Sequence, residues 1–99
     1  MAEIAITRED RGQEGRYVAR IEGVAGEAEL IYARRAADLV SADHTLAPDS
    51  MRGTGAAAAL VGRLVADARN EGFKIIPRCS YVAASYAKHP EWADLFVEP

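Results

Sequence analysis

The stretch Arg52-Gly53-Thr54-Gly55-Ala56-Ala57 decides how the rest of the chain is read, because it sets two glycines directly before an alanine-rich segment. From there Ala57, Leu60, Val61, Leu64, Val65 and Ala68 recur at spacings of three and four, the period of one helix face. Arg63, Asp67 and Asn70 fall away from that stripe and are expected on the solvent side, and Gly72 supplies the stop. A helix that begins behind a glycine pair leaves its first backbone N–H groups open, and its dipole adds partial positive charge at the same end. Such an end receives anions, and Arg52 stands where it can add a charge-assisted contact. The alternative is that Gly53 and Gly55 merely turn the chain.

Upstream of this loop the pattern is that of strands. Ile4 and Ile6 share one face, and a charged turn follows at Arg8-Glu9-Asp10-Arg11-Gly12-Gln13-Glu14-Gly15. Tyr17, Ala19 and Ile21 then alternate with Arg16, Arg20 and Glu22, which predicts a half-buried strand. Gly23-Val24-Ala25-Gly26 permits a reversal, and Ala28, Leu30 and Tyr32 resume the alternation against Glu27 and Glu29. A fourth strand is expected from about Asp38 to Leu46, ending before Pro48-Asp49-Ser50.

Downstream, Phe73-Lys74-Ile75-Ile76-Pro77 reads as a short buried strand after the helix, and a strand, helix, strand succession favours a right-handed parallel crossover. Ser80 is placed to cap a second helix through about Lys88, which His89-Pro90 stops. The segment Glu91 to Val97 is aromatic enough to pack on the rest. The expected fold class is therefore α+β with a mixed sheet: a four-strand antiparallel meander, then helix, parallel strand and helix, in a single domain spanning residues 1–99.

Composition narrows the function classes. A formal charge of -3 argues against broad nucleic-acid binding, which draws on clustered Lys and Arg. No apolar run reaches the roughly 18–20 residues of a membrane span, and Met1-Ala2-Glu3-Ile4 lacks the basic-then-apolar design of a signal peptide, so the expected compartment is the cytoplasm. One cysteine, Cys79, excludes an internal disulfide. Asp43, His44, Cys79 and His89 fit no common zinc spacing, and no metal is expected.

Three phosphate-loop patterns can be held against residues 52–58. A P-loop needs Lys and then Ser or Thr after its last glycine, and Ala56-Ala57 breaks that requirement. Gly53-Thr54-Gly55-Ala56-Ala57-Ala58 meets the relaxed dinucleotide fingerprint, but it follows four strands and has no acid about 20 residues further on. The third pattern, Arg or Gln, two residues, Gly, one residue, Gly or Ala, is the acetyltransferase signature, met by Arg52, Gly55 and Ala57.

From His44 to Leu95 the chain resembles the small YjdJ-type branch of the Gcn5-related N-acetyltransferases. The resemblance is carried by His44-Thr45, Pro48, Leu60-Val61, Ala68-Arg69, Gly72, Pro77, Cys79, Val82-Ala83-Ala84 and His89-Pro90-Glu91-Trp92-Ala93-Asp94-Leu95. The first 36 residues match only in strand count and length. The resemblance implies a minimal acetyltransferase fold whose fourth and fifth strands splay apart. Acetyl-coenzyme A would lie in that cleft with its pyrophosphate on Arg52, Gly53, Thr54, Gly55, Ala56 and Ala57, and the main chain of Thr45, Leu46 and Ala47 would flank pantetheine and thioester. It also implies an amine acceptor, whose identity the sequence does not specify, and an open acceptor side lacking the helices that cover it in larger relatives.

Three side chains are candidates for the chemistry. Histidine titrates in the range that suits proton transfer near neutrality, so His44 can serve as a base or be structural. The resemblance places a histidine of the active site at this position. Cys79 precedes a helix and adjoins Arg78, features that favour thiolate, although free cysteine also commonly packs as a small apolar residue. In the resembled branch the corresponding cysteine is proposed as catalytic, which admits an acetyl-cysteine route beside direct attack by the amine. Tyr86, two residues before Lys88, matches a tyrosine that larger relatives carry near the leaving sulfur, and is either a general acid or a core residue. A non-catalytic acyl-coenzyme A binding module and a nucleotide-binding fragment are the competing readings.

Overall fold

Alternation along the first 46 residues produces four strands: β1 (Ile4–Arg11), β2 (Glu14–Ile21), β3 (Ala28–Ala36) and β4 (Leu39–Leu46). The computed structural model describes residues 3–97, so the reading of Met1-Ala2 and the two ends of the expected 1–99 span lie outside the described residues. Each of these strands pairs antiparallel with the next. Helix α1 (Ala56–Glu71) then carries the chain back across the sheet, and β5 (Lys74–Pro77) pairs parallel with β4. The order is β1-β2-β3-β4-β5, followed by α2 (Ser80–Ala87), so the expected mixed α+β class and the parallel strand after the helix both hold.

The core lies between α1 and one face of the sheet. Tyr17, Ala19 and Ile21 of β2 and Ala28, Leu30 and Tyr32 of β3 meet Leu60, Val61, Leu64, Val65 and Ala68 of α1, all buried. Each fully buried leucine contributes about 1.5–3 kcal/mol relative to its exposure in water. One predicted solvent-side residue of α1 is not there. Asp67 is buried, because its Oδ2 accepts hydrogen bonds from the Tyr17 hydroxyl (2.8 Å) and the Arg8 guanidinium (3.1 Å), and its Oδ1 accepts one from Arg63. A carboxylate with three such donors tolerates burial that period alone would deny it.

No helix stands between β1 and β2, which join through a two-residue turn at Gly12-Gln13, and the sheet face away from α1 is covered differently. A canopy of ion pairs lies there instead: Arg16 to Glu9, Glu27 and Glu29, and Arg20 to Glu27. Val18, on the same face as both arginines, is fully buried.

Two irregularities shape the far end of the sheet. Ile31 pairs with His44 and Tyr32 with Ala42, so Asp43 is the extra residue of a β-bulge. Past this bulge Thr45 pairs with the inward-facing Leu30, while His44 shares a face with Ile31. The second irregularity is at α2: Ser80 is its first residue and does not cap it, and Cys79 occupies the cap position with extended backbone. Beyond α2, Leu95 and Phe96 are buried, and the Ile75 N–H and C=O both bond to the tail, at Leu95 O and Val97 N.

Candidate active site

The loop before α1 is anchored by Met51, which is buried, and by Thr54, whose hydroxyl donates to Met51 O at 2.6 Å. The Ala56 N–H donates to that same hydroxyl at 3.3 Å. Gly55 sits at the N-cap with φ 85°, a left-handed conformation that side-chain-bearing residues adopt at a cost, and Gly53 has φ 78°. Gly55 offers no side-chain cap, and a Cβ built on either glycine would project into open space. The first-turn N–H groups of Ala57 and Ala58 therefore have no partner from the cap residue. Arg52 is solvent-exposed and pairs with the equally exposed Asp49 at 3.3 Å. That acid, which lies outside the loop motif, already engages the Arg52 charge.

A cleft opens where β4 outruns β5. Their pairing covers Leu39 to Ala42 against Lys74 to Pro77 and then stops, although β4 continues to Leu46. The Cys79 N–H donates to Ala42 O at 2.9 Å, which pins the start of α2 at the point of divergence. Leu46 is left with half of its surface exposed. Here the thiol of Cys79 and the Thr45 hydroxyl are 3.3 Å apart. Burial works against ionisation of this thiol, but the Thr45 hydroxyl and the N–H groups of Val82, Tyr81 and Thr45 outweigh it and hold the Cys79 pKa below its ordinary value.

His44 is directed elsewhere. It faces the open side of the sheet, in a hollow of about 490 Å³ lined by Glu14, Ile31, Tyr32, Ala33, Arg35, Asp43, His44 and Arg78. Arg35 donates to Ser41 Oγ at 2.9 Å and stands 3.8 Å from Asp43 Oδ2. The remaining oxygen of that carboxylate, Asp43 Oδ1, is buried without a hydrogen-bond partner. β4 stands between the hollow on the His44 face and the Cys79–Thr45 contact on the other, and Arg78 and Cys79, adjacent in the chain, border one each. Tyr86, on the last turn of α2, stacks on Phe96 with ring centroids 4.4 Å apart, and Phe96 in turn stacks on Trp92. No three His, Cys, Asp or Glu side chains converge as metal ligands among the described residues.

A model of the GCN5-related N-acetyl-transferase family matches residues 16–95, well over half of the chain. The chain belongs to that family. A search among curated proteins returned no match. As a GCN5-related N-acetyltransferase family member it falls among proteins that transfer acyl groups, for which acetyl-coenzyme A is the general donor. The match begins at Arg16 and so takes in most of β2 and all of β3, where sequence features alone match only in strand count and length.

Within this family member, sequence reading selected Thr45 for its main chain only, whereas its hydroxyl contacts the candidate nucleophile. No motif signals that contact, since it depends on the bulge at Asp43 turning Thr45 toward the cleft. In the sequence Asp43 stands out only within a set of residues that fits no zinc spacing, and Arg78 only as a charged neighbour of Cys79. Their shared hollow emerges from pairing that brings β3, β4 and the end of β5 together.

Proposed function

We propose that this chain is an acetyl-coenzyme A dependent acetyltransferase acting on an amine. The observation that carries the reading is the four-residue overrun of β4 past β5, which leaves main chain from Asp43 to Leu46 without a β5 partner beside Cys79. Exposed strand edges recognise extended ligands through such groups. The loop 52–57 fits the diphosphate of the donor: two left-handed glycines keep its approach open, and the first-turn amides of Ala57 and Ala58 have no partner from the cap residue Gly55. Arg52, Gly53, Thr54, Gly55, Ala56 and Ala57 would hold the diphosphate, and Thr45, Leu46 and Ala47 the pantetheine arm. When bound, acetyl-coenzyme A supplies the acyl thioester.

Two routes for the acetyl group rest on separate features of the chain. In the direct route His44 removes a proton from the incoming amine on the open face, and Cys79 only lines the cleft. In the covalent route the Cys79 thiolate, favoured by the donors around it, accepts the acetyl group and passes it on. Tyr86 is the candidate to protonate the departing sulfur, and its stacking on Phe96 fixes its ring. Incubation with labelled acetyl-coenzyme A, followed by intact-protein and peptide mass spectrometry, separates these. Label on Cys79 that transfers to an added amine is the covalent route. Acetylated amine with an active Cys79→Ala variant is the direct one. Binding without either product would make the chain an acyl-coenzyme A binding module, and no binding at all would overturn the proposal.

A further inference from the structure

The acceptor itself leaves a chemical imprint on the hollow beside His44. Its floor is apolar, from Ile31 and Ala33, and its walls carry charges of both signs. Arg35 is already engaged with Ser41 and Asp43. Arg78 is exposed, makes no ion pair among the described residues, and directly precedes Cys79. Asp43 is undersatisfied, with Oδ1 buried and unpaired and Oδ2 at 3.8 Å from the Arg35 guanidinium, beyond hydrogen-bond reach. A carboxylate in that condition gains from an added cationic donor, and an unpaired guanidinium gains from a carboxylate, which it binds in bidentate geometry.

The geometry points to an acceptor that carries its own carboxylate: a free α-amino acid seated with its ammonium at Asp43 and His44 and its carboxylate on Arg78. This rests on the acetyltransferase reading given above. Asp43 and His44 on the β4 bulge and Arg78 just past β5 line this one hollow, so both charged ends of an α-amino acid find an oppositely charged partner within it. The apolar floor of Ile31 and Ala33 then receives the side chain, and the volume is of the order that small-molecule sites occupy. Occupation of this end also brings the amine into the hollow bordered by Arg78, the chain neighbour of Cys79. There His44 takes one proton from the ammonium. The freed nitrogen bonds to the acetyl carbonyl carbon as the carbon–sulfur bond breaks. The second amine proton ends on the departing sulfur, giving the N-acetyl amino acid and a free thiol, and His44 later releases its proton to water.

The test compares each of the common amino acids with its α-amide, which keeps the amine and side chain and removes the carboxylate. The wild-type chain and an Arg78→Ala variant are assayed with acetyl-coenzyme A by thiol release and by mass spectrometry of the product. Coenzyme A affinity is measured calorimetrically on the same samples. The expected result is a kcat/KM for the best amino acid about tenfold or more above that for its amide. In Arg78→Ala that ratio falls to near one with coenzyme A affinity unchanged. Amides serving equally well, or a ratio preserved in Arg78→Ala, overturns the proposal, as does preference for a peptide N-terminus, which the amides mimic. Should no turnover occur, side-chain NMR during titration with the amino acids decides. Shifts at His44 and Arg78 that are absent with the amides and in Asp43→Asn uphold the site, and unmoved resonances reject it. Failure to bind coenzyme A counts against the acetyltransferase reading and leaves that titration still decisive for the hollow.

Discussion

The Cys79 thiol and the Thr45 hydroxyl face each other at 3.3 Å across the junction of α2 and β4. In the neutral state Sγ–H donates to Oγ1, and after ionisation the hydroxyl turns to donate to the thiolate. Thr45→Val removes this donor at nearly constant shape, so the thiol pKa rises toward its ordinary value. Alkylation of Cys79 by iodoacetamide at neutral pH is expected to slow about three- to tenfold, with the midpoint of its pH profile moved upward. The linked stability has a definite sign. A depressed thiol pKa stabilises the native state at alkaline pH, and that contribution is lost as pH falls through the depressed value. Urea denaturation across this range is expected to show a smaller pH dependence in Thr45→Val.

The Arg52–Asp49 pair makes the loop before α1 tunable in both directions. Arg52→Ala is expected to weaken coenzyme A binding about tenfold, through loss of a charge-assisted contact. Asp49→Asn releases Arg52 and removes a like charge from the diphosphate, and is expected to strengthen binding about threefold at low salt, less at high salt. Gly55→Val combines a strained left-handed residue with a side chain in the approach path, and calorimetry is expected to detect no binding. Unchanged affinity in that variant would count heavily against the diphosphate site.

His44 is separated from the cleft by the thickness of β4, which allows its role to be isolated. His44→Gln is expected to lower kcat about 10²- to 10⁴-fold, the usual contribution of a general base, while coenzyme A affinity stays unchanged. A joint loss of both would assign the residue to folding instead.

Asp67 is the test of the structural network. Asp67→Ala leaves the Tyr17 hydroxyl and the Arg8 guanidinium without their shared acceptor, and is expected to cost about 2–4 kcal/mol in urea unfolding. Tyr17→Phe removes only one donor and is expected to cost about 1 kcal/mol.

How far the sequence could be read depends on whether a feature is local. The period of Leu60, Val61, Leu64, Val65 and Ala68 gave α1 and its buried face, and the alternation around Tyr17 and Leu30 gave the meander, because one-sided burial writes itself into the spacing. The position of the loop 52–57 was legible because its glycines and the helix they precede are neighbours in the chain. The bulge at Asp43 was not, since it consists of one residue added within a continuous strand and shows only in the pairing with β3. Asp67 was misplaced because its partners lie in β1 and β2, some 50 residues earlier in the chain. Cys79, rather than Ser80, holds the cap position because its N–H bonds to Ala42 at the end of the β4–β5 ladder, a tertiary constraint that overrides the cap preference of serine.

The two hydrogen bonds from the tail to Ile75 bear on how copies of this molecule meet. With that side of β5 occupied by its own chain, the rim left available for strand addition among the described residues, apart from the four-residue overrun of β4, is that of β1. There Arg8, Glu9, Asp10 and Arg11 stand in succession, and an incoming strand would have to accommodate charges of both signs at adjacent positions. Growth by joining sheets edge to edge is thereby discouraged at both rims, by a tether at one and by ionic side chains at the other.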